Sequence, residues 1–314
     1  RRGYPRNGPS HMPKVAVIGA GFVGGLSAMR ICQENLAEVE LLDIAKAIAA
    51  GKALDIEDAA WLLNYNPSIK ASDDFSSLKD SDIIVITAGF ARKPGETRQD
   101  LLNKNSRVIQ EISSQIKKFS PRSIVIVVTN PVDIMAYQVY KNTGIDRKRI
   151  IGLGVSLDAS RFANLIAQEL HCPVSDINPV LIGSHNEKML PLARFTRVRG
   201  KPLSELLSKE RIDAIIQDTR NRGASIVAHL GSGSAYVAPS AAVFKMVQAI
   251  LKDEKQKTLA AVILDGEYGL QDLCFGVPVI LGKNGIEKII ELGLNSDEKK
   301  EFLSAAEEIK KCLT

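Results

Sequence analysis

His185 lies in the segment GSHNEKMLPL, directly after the apolar run NPVLIG, at a predicted strand-to-loop junction. Histidine titrates near neutrality and is the natural side chain to move a proton at pH 7. The other histidines are placed less suggestively. His11 is close to the N-terminus, His171 follows a helical stretch and precedes Cys172-Pro173, and His229 falls inside a long helical stretch. In SLDASRF, Asp158 and Arg161 are spaced i, i+3 on one predicted helix face. That spacing suits a local ion pair. It also suits a carboxylate that orients a histidine next to a guanidinium that grips a substrate carboxylate through its fork. The segment FARKPGETRQDLL carries Arg92 and Arg98 on either side of Pro94-Gly95. Two arginines about a bend could close over an anion, or could be solvated loop charges. Asn130, in VTNPVD, ends a predicted strand, where it is either a turn residue or a ligand-facing group.

These residues need elements to hold them. KVAVIG (14–19), VELLDI (39–44), SDIIVITAG (81–89) and SIVIVVTN (123–130) are apolar, β-branched runs, separated by helical stretches that include 51–63 and about 99–119. Near-continuous Val/Ile strands alternating with helices predict a parallel sheet covered on both faces. After about residue 152 the pattern changes. A helix begins near Asp158, NPVLIGS and ARFTRVRGKPL read as antiparallel strands, and helices are expected over about 204–228 and 234–252. A strand meander and a charged helix (296–312) follow. The expected fold is therefore a doubly wound α/β domain over 13–152 and an α+β domain over 153–314.

GAGFVG places Gly19, Gly21 and Gly24 in a G-x-G-x-x-G loop, with Ala20, Phe22 and Val23 between them, after a predicted strand and at the start of a predicted helix. In that context the glycines give a tight turn, let a pyrophosphate approach the backbone and let the helix pack on the strand. The helix N-terminus offers free N–H groups to phosphate. Asp43 ends the second strand. It can accept both ribose hydroxyls and would repel a 2′-phosphate, which favours NAD over NADP. A methyltransferase could use a similar loop, but it has no use for the histidine, aspartate and arginines above.

The 314 residues are 45% hydrophobic, enough for a large core, and no apolar run has the length of a membrane span. The segment RRGYPRNGPSHM has no secretory h-region and ends like an expression-tag remnant, so residues 1–12 are expected to lie outside the fold. Without its three arginines the formal charge falls from +5 to +2, and no basic block suggests a nucleic-acid partner. Cys32, Cys172, Cys274 and Cys312 lack CxxC spacing, so neither a metal site nor a redox motif is expected. They read as reduced, mostly buried thiols of a cytoplasmic protein.

Taken in order, GAGFVG, LLDI, TAGFARKPGETRQDLL, VTNPVD, GVSLDASRF, GSHNEKMLPL and GSGSAYVAPSAA resemble the lactate/malate dehydrogenase family across about residues 13–314. The resemblance implies a Rossmann domain that binds NAD through Gly19 to Gly24 and Asp43, with Thr87, Ala88, Gly89, Asn105, Val128, Thr129 and Asn130 along the cofactor. It implies His185 as acid–base, Asp158 as its partner, Arg161 on the carboxylate beside the reacting carbon and Arg98 polarising the carbonyl. Asn130 would also face substrate. Arg92 matches the substrate-selecting position, where lactate dehydrogenases typically carry Gln. The implied reaction is reversible hydride transfer between NADH and oxaloacetate, giving malate, in a homodimer or homotetramer. Reduction of pyruvate, or NAD binding without catalysis, are the alternatives. The chain departs from the family at Asn186-Glu187, where Gly and an acid are more usual. It departs also at Glu96, where many relatives with RKPG have Met and lactate dehydrogenases often have Glu.

Overall fold

The structure, a computed structural model, describes residues 12–91 and 96–313, with the side chain of Arg98 excepted. Its first half alternates β1 (Lys14–Ile18), α1 (Phe22–Gln33), β2 (Glu38–Leu42), α2 (Lys46–Leu63), β3 (Ile69–Ser72), β4 (Ile83–Ile86), α3 (Arg98–Phe119), β5 (Ile124–Val127), α4 (Val132–Thr143) and β6 (Ile150–Gly152). These six strands run parallel in the order β3-β2-β1-β4-β5-β6. The residues of β4 and β5 are all buried, as their unbroken Ile/Val runs require of strands covered on both faces.

The second half contains α5 (Val155–Glu169), the short strands β7 (Ile177–Asn178), β8 (Leu181–Ile182), β9 (Leu190–Pro191), β10 (Arg197–Val198) and β11 (Lys201–Pro202), then α6 (Lys209–Leu230) and α7 (Val237–Leu251). The chain finishes with β12 (Gln256–Asp265), β13 (Gln271–Gly282), β14 (Gly285–Ile289) and α8 (Ser296–Leu313). The meander β12-β13-β14 continues the first sheet. β12 pairs antiparallel with β6, Val262 opposite Ile151 and Ala261 opposite Gly152, which gives nine strands in all. The antiparallel strands expected in NPVLIGS and ARFTRVRGKPL are reduced to two-residue pairings. Strand β3 was not apparent in the sequence, because IKAS has no apolar run.

Two helices decide where the candidate residues stand. Helix α3 begins with a capping box: Thr97 accepts the Asp100 N–H through its hydroxyl oxygen, and Asp100 accepts the Thr97 N–H. Its buried residues Leu102, Asn105, Ile109, Ile112 and Ile116 recur at the 3–4 spacing of one helical face. Helix α5 buries Val155, Asp158, Ala159, Phe162 and Ile166 on one stripe. Asp158 therefore occupies a core position with no exposure. A carboxylate placed there must be paired to be tolerated. Around it a second apolar cluster, including Phe162, Leu181, Met189 and Leu203, fills the space between α5, the short strands and α6.

Candidate active site

The carboxyl ends of β1, β4, β5 and β6 meet at one edge of the sheet. The strand order reverses between β1 and β4, and crevices at such switch points bind ligands in open α/β sheets. Gly19 follows β1 with φ +103°, and a Cβ there would stand 2.6 Å from the Ala88 N. At Gly24 a Cβ would stand 1.8 Å from the Gly19 carbonyl oxygen, so α1 reaches the strand only because residue 24 has no side chain. A Cβ on Gly21 would meet nothing within 4 Å, so that side of its backbone is open to a ligand. Helix α1 starts at Phe22 with no acidic residue in its first turn and no side-chain cap. Its first N–H groups and positive end are thus directed at that space. This is the cradle a dinucleotide pyrophosphate needs, and the residues present fit NAD.

Asp43 is half-buried just after β2. Its Oδ2 accepts the Ala20 N–H at 2.6 Å and its Oδ1 accepts the Ala45 N–H at 2.9 Å. The same carboxylate thus braces the glycine loop, a role that the spacing did not reveal. Across the switch point, the Thr87 hydroxyl donates to the Gly19 carbonyl at 3.0 Å. The Thr129 hydroxyl donates to the Ala88 carbonyl at 2.7 Å. Gly89 lies against Thr129 and Asn105. Asn105 is fully buried. Its amide donates to the Phe90 and Asn130 carbonyls at 3.2 and 2.7 Å and accepts the Phe90 N–H at 2.8 Å. It clamps together the loops after β4 and β5. Val128 is partly buried and Asn130 is exposed beside them. Lys52 of α2, not singled out in the sequence, donates to the Gly21 carbonyl at 2.7 Å and lies over the Phe22 ring.

The second half supplies the titratable cluster. The His185 Nδ1–H donates to Asp158 Oδ2 at 2.6 Å, and Arg161 Nη1 donates to Asp158 Oδ1 at 3.2 Å. The i, i+3 pair in α5 is therefore real, and it also engages the histidine 27 residues away. With Nδ1 committed to Asp158, Nε2 is the ring atom left to exchange a proton with a substrate. Burial works against the imidazolium, but Asp158, through its charge and its hydrogen bond, and Asp133 outweigh it. The His185 pKa is raised above its ordinary value. Burial lowers the Arg161 pKa, opposed by Asp158. Arg161 Nε is buried with no hydrogen-bond partner among the described residues, so the guanidinium retains donor capacity for an anion. Gly223 of α6 brings backbone close to this group; a Cβ there would lie 3.4 Å from Nη1. A glycine inside a helix is costly. That cost was the available signal for its packing role.

Asp133 was also missed. It is buried in the first turn of α4, and its Oδ2 accepts the His185 N–H at 2.8 Å. Arg92 and the Pro94-Gly95 bend lie outside the described residues, as does the Arg98 side chain, although the backbone of Arg98 is the first residue of α3. Glu96 turns towards α3 and pairs with Lys104. A cavity of about 690 Å³ lies elsewhere, between α5, α6 and α7, and includes none of His185, Asp158 or Arg161. Cys32 and Cys274 are buried, Cys172 is half-buried and Cys312 is exposed, all free. No helix of the described residues is long and apolar enough to cross a membrane.

Residues 13–152 match the family model described as lactate/malate dehydrogenase, NAD binding domain, and residues 155–314 match the lactate/malate dehydrogenase alpha/beta C-terminal domain. The chain belongs to the lactate/malate dehydrogenase family. It is an NAD-dependent oxidoreductase. Among its relatives in that family is a malate dehydrogenase of Bacillus cytotoxicus, 48% identical over 91% of this chain and 92% of the relative. The apo malate dehydrogenase from Picrophilus torridus superposes with a TM-score of 0.92 at 41% identity, covering 96% of each chain. A lactate dehydrogenase from Eimeria maxima, solved with NADH and oxamate, superposes with a TM-score of 0.93 at 34% identity, covering 98% of this chain and 95% of that one.

Proposed function

We propose that this member of the family interconverts oxaloacetate and malate with NADH and NAD, the reaction of the tricarboxylic acid cycle, in the cytoplasm. The observation that carries the reading is the cluster of His185 and Arg161 about the buried Asp158, a proton carrier, its counter-charge and a carboxylate grip on one helix and the loop that faces it. NADH, when bound, supplies the hydride from its nicotinamide ring. The chain's residues do the rest. Gly19, Ala20, Gly21, Phe22, Val23 and Gly24 form the wall for the pyrophosphate. Asp43 takes the ribose hydroxyls, and Thr87, Ala88, Gly89, Val128 and Thr129 line the path to the nicotinamide. Asn105 serves through the two loops it clamps.

In reduction, Arg161 grips the carboxylate next to the carbonyl, and Asn130 and Arg98 orient and polarise the carbonyl oxygen. His185 gives it the Nε2 proton. Asp158 stabilises the imidazolium beforehand, so little reorganisation is needed as charge moves. Residues 13–152 thus hold the cofactor and 153–314 hold the proton carrier. An assay that follows NADH consumption with oxaloacetate and identifies the product is expected to give one malate per NADH oxidised. NADH consumption without malate would refute the assignment.

Asp43 provides a separate expectation. Asp43→Ser removes the charge that repels a 2′-phosphate and removes the acceptor of the Ala20 N–H. The NADH-to-NADPH ratio of kcat/KM is expected to fall by at least about tenfold, ~1.4 kcal/mol, with some loss of NADH affinity. Wild-type turnover with NADPH equal to that with NADH would contradict this role for Asp43.

The chain is further expected to work as a homodimer or homotetramer. Trp61 and Leu62 of α2 are 88% and 74% exposed, and Val227, Leu230 and Val237 are also exposed. Large apolar side chains exposed in groups mark association surfaces.

A further inference from the structure

Two carboxylates, not one, hold the catalytic histidine. Asp158 takes the ring through Nδ1, and Asp133, from the first turn of α4, takes the backbone N–H of the same residue at 2.8 Å. Asp133 is 4% exposed, and its Oδ1 is buried with no hydrogen-bond partner among the described residues. A carboxylate is a poor choice if only an acceptor for one N–H were needed, because burying it with one oxygen unsatisfied is costly. A neutral amide would accept that N–H at less expense. What a carboxylate adds is charge.

We propose that Asp133 is a positioning residue for His185, fixing its backbone and adding a second negative charge behind the imidazole. This rests on His185 being the proton carrier proposed above. The groups that face Asp133 are Asp158 from α5, His185 from the loop after β8 and Cys274 from β13. Arg161 opposes the imidazolium, whereas Asp158 and Asp133 favour it. Cys274 is buried and its thiol is pushed well above its ordinary range, so it stays neutral. Burial brings Asp133 up to about 6, against the pull of the His185 N–H and imidazole. The helix end at which it sits favours its negative charge.

The sign follows directly. Removing the Asp133 charge lowers the His185 pKa, because a neighbouring negative charge favours the protonated ring. Oxaloacetate reduction uses the protonated imidazole and is lost as pH rises through that pKa. Malate oxidation uses the neutral imidazole and appears over the same range. Both midpoints move down together.

The test compares Asp133→Asn, which keeps an acceptor and removes the charge, with Asp133→Ala, which removes both. In histidine-labelled protein, NMR titration of His185, assigned by its absence from His185→Asn, is expected to show a pKa at least about 0.5 units lower in Asp133→Asn than in wild type. The pH midpoint of malate oxidation is expected to shift in the same direction, with KM for NAD within about twofold. Asp133→Ala should lose a further tenfold or so in kcat, about what a displaced catalytic group costs, and Asp133→Asn should recover it. A His185 pKa unchanged in Asp133→Asn overturns the proposal, whether or not Asp133→Ala folds. Because the NMR reading needs no turnover, its failure is distinct from failure of the assigned reaction.

Discussion

His185→Asn is expected to lower kcat for oxaloacetate reduction by about 10²- to 10⁴-fold while NADH binds with near-normal affinity, the range that positioned acid–base catalysis contributes. The loss should be in chemistry because His185 belongs to the second half of the chain, whereas the glycine loop and Asp43, proposed to hold the cofactor, belong to the NAD-binding half. Its ring is tied to a fully buried carboxylate, and its raised pKa keeps it protonated to higher pH than an ordinary histidine. Asparagine keeps the backbone N–H that Asp133 accepts, so the loop should stay in place. Steady-state kinetics with NADH titration checks the expectation. Near-normal turnover would mean that another group moves the proton.

The second large effect concerns substrate choice. Arg92→Gln is expected to erode most of the preference for oxaloacetate over pyruvate. Oxaloacetate has a far carboxylate that pyruvate lacks, and the family resemblance puts Arg92 at the position that meets it. In a poorly hydrated site, an arginine left without its partner typically costs about 2–5 kcal/mol, or roughly 30- to 5,000-fold. Measuring kcat/KM for both substrates in wild type and variant decides it. An unchanged ratio would make Arg92 a solvated loop charge and leave the dehydrogenase chemistry standing. Glu96, which lactate dehydrogenases often share, pairs with Lys104 at the start of α3.

What the sequence made legible were the features encoded locally. Unbroken Ile/Val runs announced buried parallel strands, and the glycine loop announced a tight turn that Gly19 and Gly24 permit. The Asp158–Arg161 spacing announced a shared helix face. Position-specific partnerships across the chain were less visible. Nothing near Asp133 indicates that its carboxylate meets a backbone N–H 52 residues later, and nothing near Lys52 shows that it reaches the Gly21 carbonyl. Asn105 read as a cofactor position, yet its amide is spent on holding two loops together. The continuation of the sheet from β6 into β12 was hidden for the same reason, since pairing between residues 151 and 262 leaves no trace in either segment alone. Strand β3 was hidden for another: it takes its place by pairing with β2 rather than by its own composition.

The most direct test of the whole account is the kcat/KM of the wild-type protein with NADH for oxaloacetate and for pyruvate, measured side by side. The proposed acid–base role of the partly buried His185, with Arg161 and Arg92 proposed for the two substrate carboxylates, predicts efficient turnover of oxaloacetate and a preference over pyruvate of at least about a hundredfold, ~2.7 kcal/mol. Equal or better turnover of pyruvate would contradict the assigned substrate, and no turnover of either would contradict the catalytic cluster itself.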